Sequence, residues 1–289
     1  MSVARCPGSC GEIIQGWILG SEKLISCPID WYSTVEVCDG TPLPDERPLT
    51  RATVNALLAH FGYALSRSQA LRVEVHSTIP VAKGMASSTA DIAATAIATA
   101  HHLGHSLDES ILATLCVSLE PTDSTLFRQL TLFDHHHART QIACGPSPEF
   151  DLLVLESPVI LRTADYHRLP REAALHANAD VLQGAWEKVQ TACASNSASL
   201  LGEAATLSAI ASQALLPKPG FAALLSLVES CGLYGLNVAH SGSVVGLMLD
   251  RRHHDVEYLK WALGQKKLTD HWPKQHLLSA VPGGVQLST

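Results

Sequence analysis

The run Leu71-Arg72-Val73-Glu74-Val75-His76 alternates apolar and polar residues, and a short stretch of small residues separates it from a helix-forming segment, Thr89–Leu103. Period two puts Leu71, Val73 and Val75 on the inner face of a strand, and Gly104 is expected to end the helix. The chain is thereby committed to a strand that runs through Pro80-Val81-Ala82-Lys83-Gly84-Met85-Ala86-Ser87-Ser88 into a helix N-terminus. Such an end presents several unpaired N–H groups and the positive end of the helix dipole to one point, which suits a phosphate. Gly84 permits close backbone approach, Ser87, Ser88 and Thr89 add hydroxyls for phosphate or Mg2+, and Lys83 adds charge. The alternative is an ordinary capped helix, with Ser87 or Ser88 as N-cap and Asp91 in the first turn. Capping explains one serine but not the second, the lysine or the clustered small residues; both readings stand at this point.

Around this unit, Ser2 to Val37 reads as several strands, with Ile13-Ile14 and Trp17-Ile18-Leu19 flanking Gly16. A proline-rich turn at 41–48 leads into a helix over Leu49–Phe61, with Val54, Leu57, Leu58 and Phe61 at helical spacing. A further helix, Leu107–Leu119, stops at Glu120, because Pro121 disfavours helical geometry in the residue before it. The apolar run Phe150–Glu156 is expected as a buried strand opening a second unit. Helices follow at about Arg168–Thr191, Ser197–Leu216 and Phe221–Gly232, then strands at Gly235–His240 and Ser243–Asp250 hinged at Ser241-Gly242. A helix near His253–Leu263 and a short strand at Val285–Leu287 complete the chain. This order, β-rich, then helical, then mixed, argues for an α+β fold with two lobes.

Composition removes whole classes of function. Hydrophobic residues make up 46% of the 289 and charged residues 16%, enough to bury a core. The net charge of −7, with no long basic run, argues against nucleic acid and against an anionic membrane as partners. The uncharged Ser230–Leu249 stretch approaches bilayer length, but its four glycines and its Asn237, His240 and serines read as strand, turn, strand. Arg5 is followed by Pro7, Gly8, Gly11 and Glu12 rather than by an apolar signal segment. The expectation is therefore a cytoplasmic protein whose eight cysteines are reduced and mostly buried. Cys6 and Cys10 find no second pair at metal-ligand spacing. His101-His102, His135-His136-His137 and His253-His254 are expected on solvated loops, since adjacent histidines point in different directions. The G-x-x-x-x-G-K-[ST], G-x-G and G-x-S-x-G patterns are all absent.

Three further clusters remain. Glu120-Pro121-Thr122-Asp123-Ser124 holds two carboxylates at a forced helix end, a set that suits a hard cation or a proton-accepting role beside a hydroxyl. A capping Asp123 and a solvated Glu120 are the plain alternative. His240-Ser241-Gly242-Ser243-Val244-Val245-Gly246 and Cys6-Pro7-Gly8-Ser9-Cys10-Gly11-Glu12 are turn-rich segments that fit either ligand approach or simple turns.

Taken in order, these clusters resemble the three motifs of the GHMP kinases, the superfamily of galactokinase, homoserine kinase, mevalonate kinase and phosphomevalonate kinase. Pro7–Glu12 is similar to the first motif, and Pro80–Ala90 to the second, P-x-x-x-G-L-G-S-S-A-A. Ser241–Gly246 is similar to the third. Met85 and Ala86 stand where Leu and Gly are usual. Within the superfamily, A-R-C-P-G-S-C-G-E-I-I-Q-G and E-P-T-D-S-T-L-F resemble the L-threonine kinases of the PduX type, which make O-phospho-L-threonine from ATP for adenosylcobalamin synthesis.

The resemblance implies a ribosomal-protein-S5-like, ATP-binding lobe over 1–149 with motifs 1 and 2. It implies a ferredoxin-like lobe over 150–289 with the glycine-rich motif 3, and an active site in the cleft between them. It further implies that Pro80, Val81, Ala82, Lys83, Gly84, Met85, Ala86, Ser87, Ser88 and Thr89 wrap the ATP phosphates. Ser88 and Glu120 would hold Mg2+, and Asp123 would act on the acceptor hydroxyl as base or orienting group. Glu12, Gln15, Ser241 and Gly242 would lie near the substrate. The implied partners are ATP and a small hydroxy amino acid, in a monomer or homodimer. The rivals are a kinase for homoserine or another small hydroxylated metabolite, and a nucleotide-binding regulator that has lost turnover. The Ser88, Glu120 and Asp123 set argues against the regulator, because a pure binder needs no carboxylates at the acceptor.

Overall fold

The computed structural model describes residues 1–161 and 170–288. The predicted cluster of N-terminal strands is two long ones, β1 (Ser2–Ile18) and β2 (Ser21–Asp39), paired antiparallel from Ser2↔Val37 to Ile18↔Ser21. Register shifts between Pro7 and Ile14 let β1 bend without breaking, which is why punctuation by Pro and Gly overstated the number of strands. The helix α1 (Pro48–His60), the strand β3 (Leu71–Ser77) and the helices α2 (Ser87–His102) and α3 (Glu109–Leu119) follow close to their expected positions.

Strands β4 (Leu130–Phe133) and β5 (Gln141–Gly145) are additions that no clear alternation announced. Next come β6 (Asp151–Glu156), α4 (Glu172–Ala177) and α5 (Ala179–Ser195). The single helix expected from Arg168 is thus two, parted at Asn178, and its first two residues lie outside the described residues. Then follow α6 (Ala198–Ser212), α7 (Phe221–Ser230), β7 (Gly235–Val238), β8 (Val244–Leu249), α8 (Val256–Gln265), β9 (Lys274–Ser279) and β10 (Gln286–Ser288). β9 was also unforeseen; its polar Lys274, Gln275 and His276 hide the pattern. Among the described residues no helix is long and apolar enough to cross a membrane.

One ten-stranded sheet runs β5-β4-β2-β1-β7-β8-β6-β9, with β10 on β1 and β3 on β2. Among the described residues its two halves meet through one β1–β7 pair, Glu12↔Val238, and an isolated bridge, Ile29↔Ala280. α2 lies against β1 and β2 with α1 and α3 beside it. Its Ala90, Ile92, Ala93, Ala94, Ala96 and Ala98 are all buried, and a helix apolar on nearly every side belongs inside a core. That burial fixes where the helix begins, and with it the point to which its free N–H groups are aimed. The eight cysteines are unpaired, five of them buried.

Candidate active site

A pocket of about 710 Å³ opens at the seam between the halves of the sheet. One end is the loop before α2, with Val81, Ala82, Gly84, Met85, Ala86, Ser87 and Ser88 on its wall. Ala86 is the N-cap, in a left-handed conformation (φ 58°), and no side chain caps the helix. The capped-helix alternative therefore fails: Ser87 and Ser88 both lie in the first turn, where their amides are open to a ligand. Asp91 serves neither cap nor ligand. It is buried, bonded by Ser33 Oγ at 2.5 Å and paired with Arg47.

Two residues of the expected phosphate loop turn elsewhere. Lys83 is buried, and its ammonium donates to the carbonyls of Ser157 at 2.6 Å and Val159 at 2.9 Å, so it clamps the loop to the segment after β6. The Thr89 hydroxyl accepts from Asp123 N (3.1 Å) and lies 3.3 Å from Asp123 Oδ2. Pro80, Lys83 and Thr89 are absent from the pocket wall.

Glu120 and Asp123 face the same pocket. The helix α3 ends as the proline demands, with Glu120 extended (φ −161°, ψ 164°). Its carboxyl is not solvated: burial raises its pKa against the hydrogen bond from Ser88, and Oε1 is buried with no hydrogen-bond partner among the described residues. A buried carboxylate oxygen without a partner, beside a serine hydroxyl at a phosphate-type loop, is the donor set a Mg2+ ion takes. Asp123 caps nothing by its side chain. Ser26 Oγ and Thr89 Oγ1 hold its two oxygens, and burial with the neighbouring Glu12 and Glu120 charges lifts its pKa to about 7.

The third wall joins both lobes. Glu12 Oε2 accepts from the backbone N of His240 and pairs with its Nδ1, both at 2.9 Å. His240 Nε2 meets Ser208 Oγ at 3.1 Å, and Ser208 Oγ accepts from Gln15 N at 3.0 Å. Ser241 lines the pocket. Gly242 faces the phosphate loop instead: a Cβ there would collide with the Lys83 carbonyl, and one on Gly84 (φ 74°) would lie 2.7 Å from Gly242 Cα. Motifs 2 and 3 thus pack backbone on backbone, secured by Ser243 N donating to Lys83 O at 3.0 Å. Lys218 went unnoticed in the sequence. It is buried, its Nζ donates to Gly242 O at 2.7 Å, and desolvation lowers its pKa to about 8 despite the nearby Glu12 charge.

Beyond Asp123 the wall consists of Gln15, Leu24, His135 and His136. His135 departs from the expectation of a solvated histidine, being only 3% exposed. Its carbonyl accepts from Thr122 N at 3.0 Å, which ties it to the Glu120–Asp123 turn. Glu22, His135 and His136 bring a carboxylate oxygen and two ring nitrogens within 4.8 Å of one another. Arg171 binds Glu22 at 2.5 Å, setting positive charge where a dication would need the reverse. The adjacent histidines were the only visible signal; their acidic partner lies more than a hundred residues earlier.

Residues 48–127 match the GHMP kinases N terminal domain. An L-threonine kinase of Citrobacter freundii is 71% identical over 287 residues, covering 99% of this chain and all of that protein. Another, from Salmonella typhimurium, is also 71% identical, over 99% of this chain and 96% of its own. Among solved structures, a homoserine kinase from Cytophaga hutchinsonii superposes with a TM-score of 0.71 at 15% identity, over 99% of this chain and 97% of its own. The Enterococcus faecalis mevalonate diphosphate decarboxylase gives 0.71 at 17%, over 99% and 98%. Kinases and a decarboxylase share this architecture, so it speaks for the two-lobed fold and not for the reaction.

Proposed function

The chain belongs to the GHMP kinases, and from that premise we propose that it transfers the γ-phosphoryl group of ATP to the side-chain hydroxyl of L-threonine, yielding ADP and O-phospho-L-threonine. The observation that carries this reading is that one pocket gathers an uncapped helix start, an unpartnered Glu120 oxygen and Asp123. Threonine as the acceptor follows from the two L-threonine kinases that match nearly the whole chain.

In this reading the amides of the Gly84–Ser88 loop and the first turn of α2 hold the phosphates. The Ser88 hydroxyl and the Glu120 carboxylate would hold Mg2+, which when bound neutralises charge on the transferred group. Asp123 faces the acceptor hydroxyl and takes its proton as the oxygen attacks, a role served by a carboxyl poised near neutrality. Glu12 is clamped by His240, and Ser241 closes the pocket from the C-terminal lobe. Positioning and electrostatics supply most of the acceleration, as phosphoryl transfer requires little covalent chemistry from the protein. A second groove lies where β3 enters the loop, lined by Trp31, Tyr32, Arg47, His76 and Thr78.

The same reading divides the lobes at 149/150, places the enzyme in the cytoplasm as a monomer or homodimer, and directs its product to adenosylcobalamin synthesis. The test is ADP release from Mg-ATP with L-threonine, L-serine, homoserine, mevalonate and galactose, each product identified by mass. L-threonine is expected to be the preferred acceptor. Equal turnover of all five would remove the substrate assignment, and turnover of none would remove the kinase.

A further inference from the structure

A free amino acid carries an ammonium and a carboxylate on the carbon next to the one bearing threonine's hydroxyl. With that hydroxyl at Asp123, both charges fall within a few ångströms of it. They must lie away from the phosphate end, against the wall of Gln15, Leu24, His135 and His136. Directly behind this wall is a pair of opposite charges. Gln15 Nε2 lies 3.5 Å from Glu22 Oε1, and His136 Nε2 lies 3.7 Å from Glu22 Oε2. Arg171 Nη1 binds Glu22 Oε1 at 2.5 Å. The Glu22 and Arg171 side chains are each only 11% exposed. An ion pair so far from water adds little net stability, because desolvation offsets most of the attraction. A complementary pair of charges in contact with Gln15 and His136, which do line the pocket, is what a zwitterion requires.

We propose that Gln15, Glu22, His136 and Arg171 form the subsite for the acceptor's head group, Glu22 receiving the α-ammonium and Arg171 with His136 the α-carboxylate. The inference rests on the amino-acid kinase reading above. Leu24, paired with Gln15 across β1 and β2, offers the apolar wall for the threonine methyl. The hydrogen bond from Thr122 N to the carbonyl of His135, the neighbour of His136, links the subsite to the Asp123 turn, so reading the head group also helps to place the hydroxyl.

The test compares kcat/KM for L-threonine, L-threoninamide (carboxylate neutralised) and (R)-3-hydroxybutyrate (ammonium removed). The wild-type enzyme should favour L-threonine by about 100-fold or more over each, as sites built around buried polar partners do. Glu22→Gln should shrink the L-threonine to (R)-3-hydroxybutyrate ratio at least about 30-fold, and Arg171→Gln the L-threonine to L-threoninamide ratio similarly. Because either change leaves a buried charge unpaired, the wild-type protein supplies an independent readout. L-threonine added with a non-hydrolysable ATP analogue should move the His136 ring-nitrogen resonances. Wild-type selectivity retained in both variants, no discrimination by the wild type, or unmoved His136 resonances would each overturn the subsite. A wild type that phosphorylates none of the three compounds would instead defeat the kinase reading on which it stands.

Discussion

Asp123→Asn should separate the wild type and the variant in a pH-dependent way. The Asp123 carboxyl titrates near 7 in the folded protein, against 3.8 for an ordinary aspartate, raised by burial and by the Glu12 and Glu120 charges. Three units correspond to about 4 kcal/mol. Between pH 3.8 and 7 the unfolded chain has released this proton and the folded one keeps it. The folded state thus binds more protons, and stability falls as pH rises through the window. Asparagine carries no such penalty. The stability of the variant relative to wild type should therefore rise by about 3 kcal/mol between pH 5 and pH 8.5, or about 5–10 °C in Tm for a chain of this size. Activity should report the same group. Wild-type kcat/KM should climb through an acid limb centred near 7, and the limb in kcat should sit lower, because a divalent cation on Glu120 offsets one of the charges raising Asp123. The variant should lose about 100-fold or more in rate, along with the limb. Thermal melts and pH–rate profiles of the two proteins check both halves. A stability difference that is flat with pH, or an acid limb that survives in the variant, would refute the assignment.

Three other substitutions divide the pocket by role. Glu120→Gln should raise the Mg2+ concentration for half-maximal rate by about 10-fold or more without lowering Tm, since burial already disfavours its charge; metal titrations and melts decide. Lys83→Met should cost about 1–3 kcal/mol by orphaning the Ser157 carbonyl and leaving that of Val159 to Ser243 Oγ alone, with KM for ATP changed by less than about threefold. A large rise in KM with unchanged stability would return that lysine to the phosphates. Gly242→Ala should destabilise by about 1–3 kcal/mol and raise KM for ATP, because the Lys83 carbonyl must give way; a neutral substitution would disprove the contact.

Much of this site was legible because its parts rest on local rules. Pro121 dictated where α3 ends and where Glu120 and Asp123 project. Alternation in β3 and the small residues after it located the helix start to within two residues. What stayed hidden depends on partners distant in the chain. Nothing near Lys83 tells that its ammonium is taken by carbonyls at 157 and 159. Lys218 lies outside every motif, and its burial against Gly242 is a tertiary fact. Glu22 and Arg171, 149 residues apart, look like ordinary surface charges until the fold joins them. β9 failed for a different reason: it pairs only with β6 among the named strands and keeps its polar residues half in water, so it carries little alternation.

The glycines of the three motifs invite a ligand explanation, and the seam supplies a more economical one. Among the described residues β1 and β7 share one ladder pair, Glu12↔Val238, and an isolated bridge, Ile29↔Ala280, is the other ladder contact between the halves, so their relative position rests also on close backbone contact elsewhere. Gly11, at φ 58°, leaves no room for a Cβ against Val238; Gly8 lies under Met85, and Gly84 and Gly242 lie on each other. A side chain at Gly11, Gly84 or Gly242 would push the lobes apart, and one at Gly8 would push the phosphate loop off β1. Each glycine alone looks like a turn, and their meaning lies in meeting. The phosphate loop is therefore gripped from the N-terminal strand and from the C-terminal turn together. A change in either lobe that moves its glycine should reach the bound nucleotide without touching it.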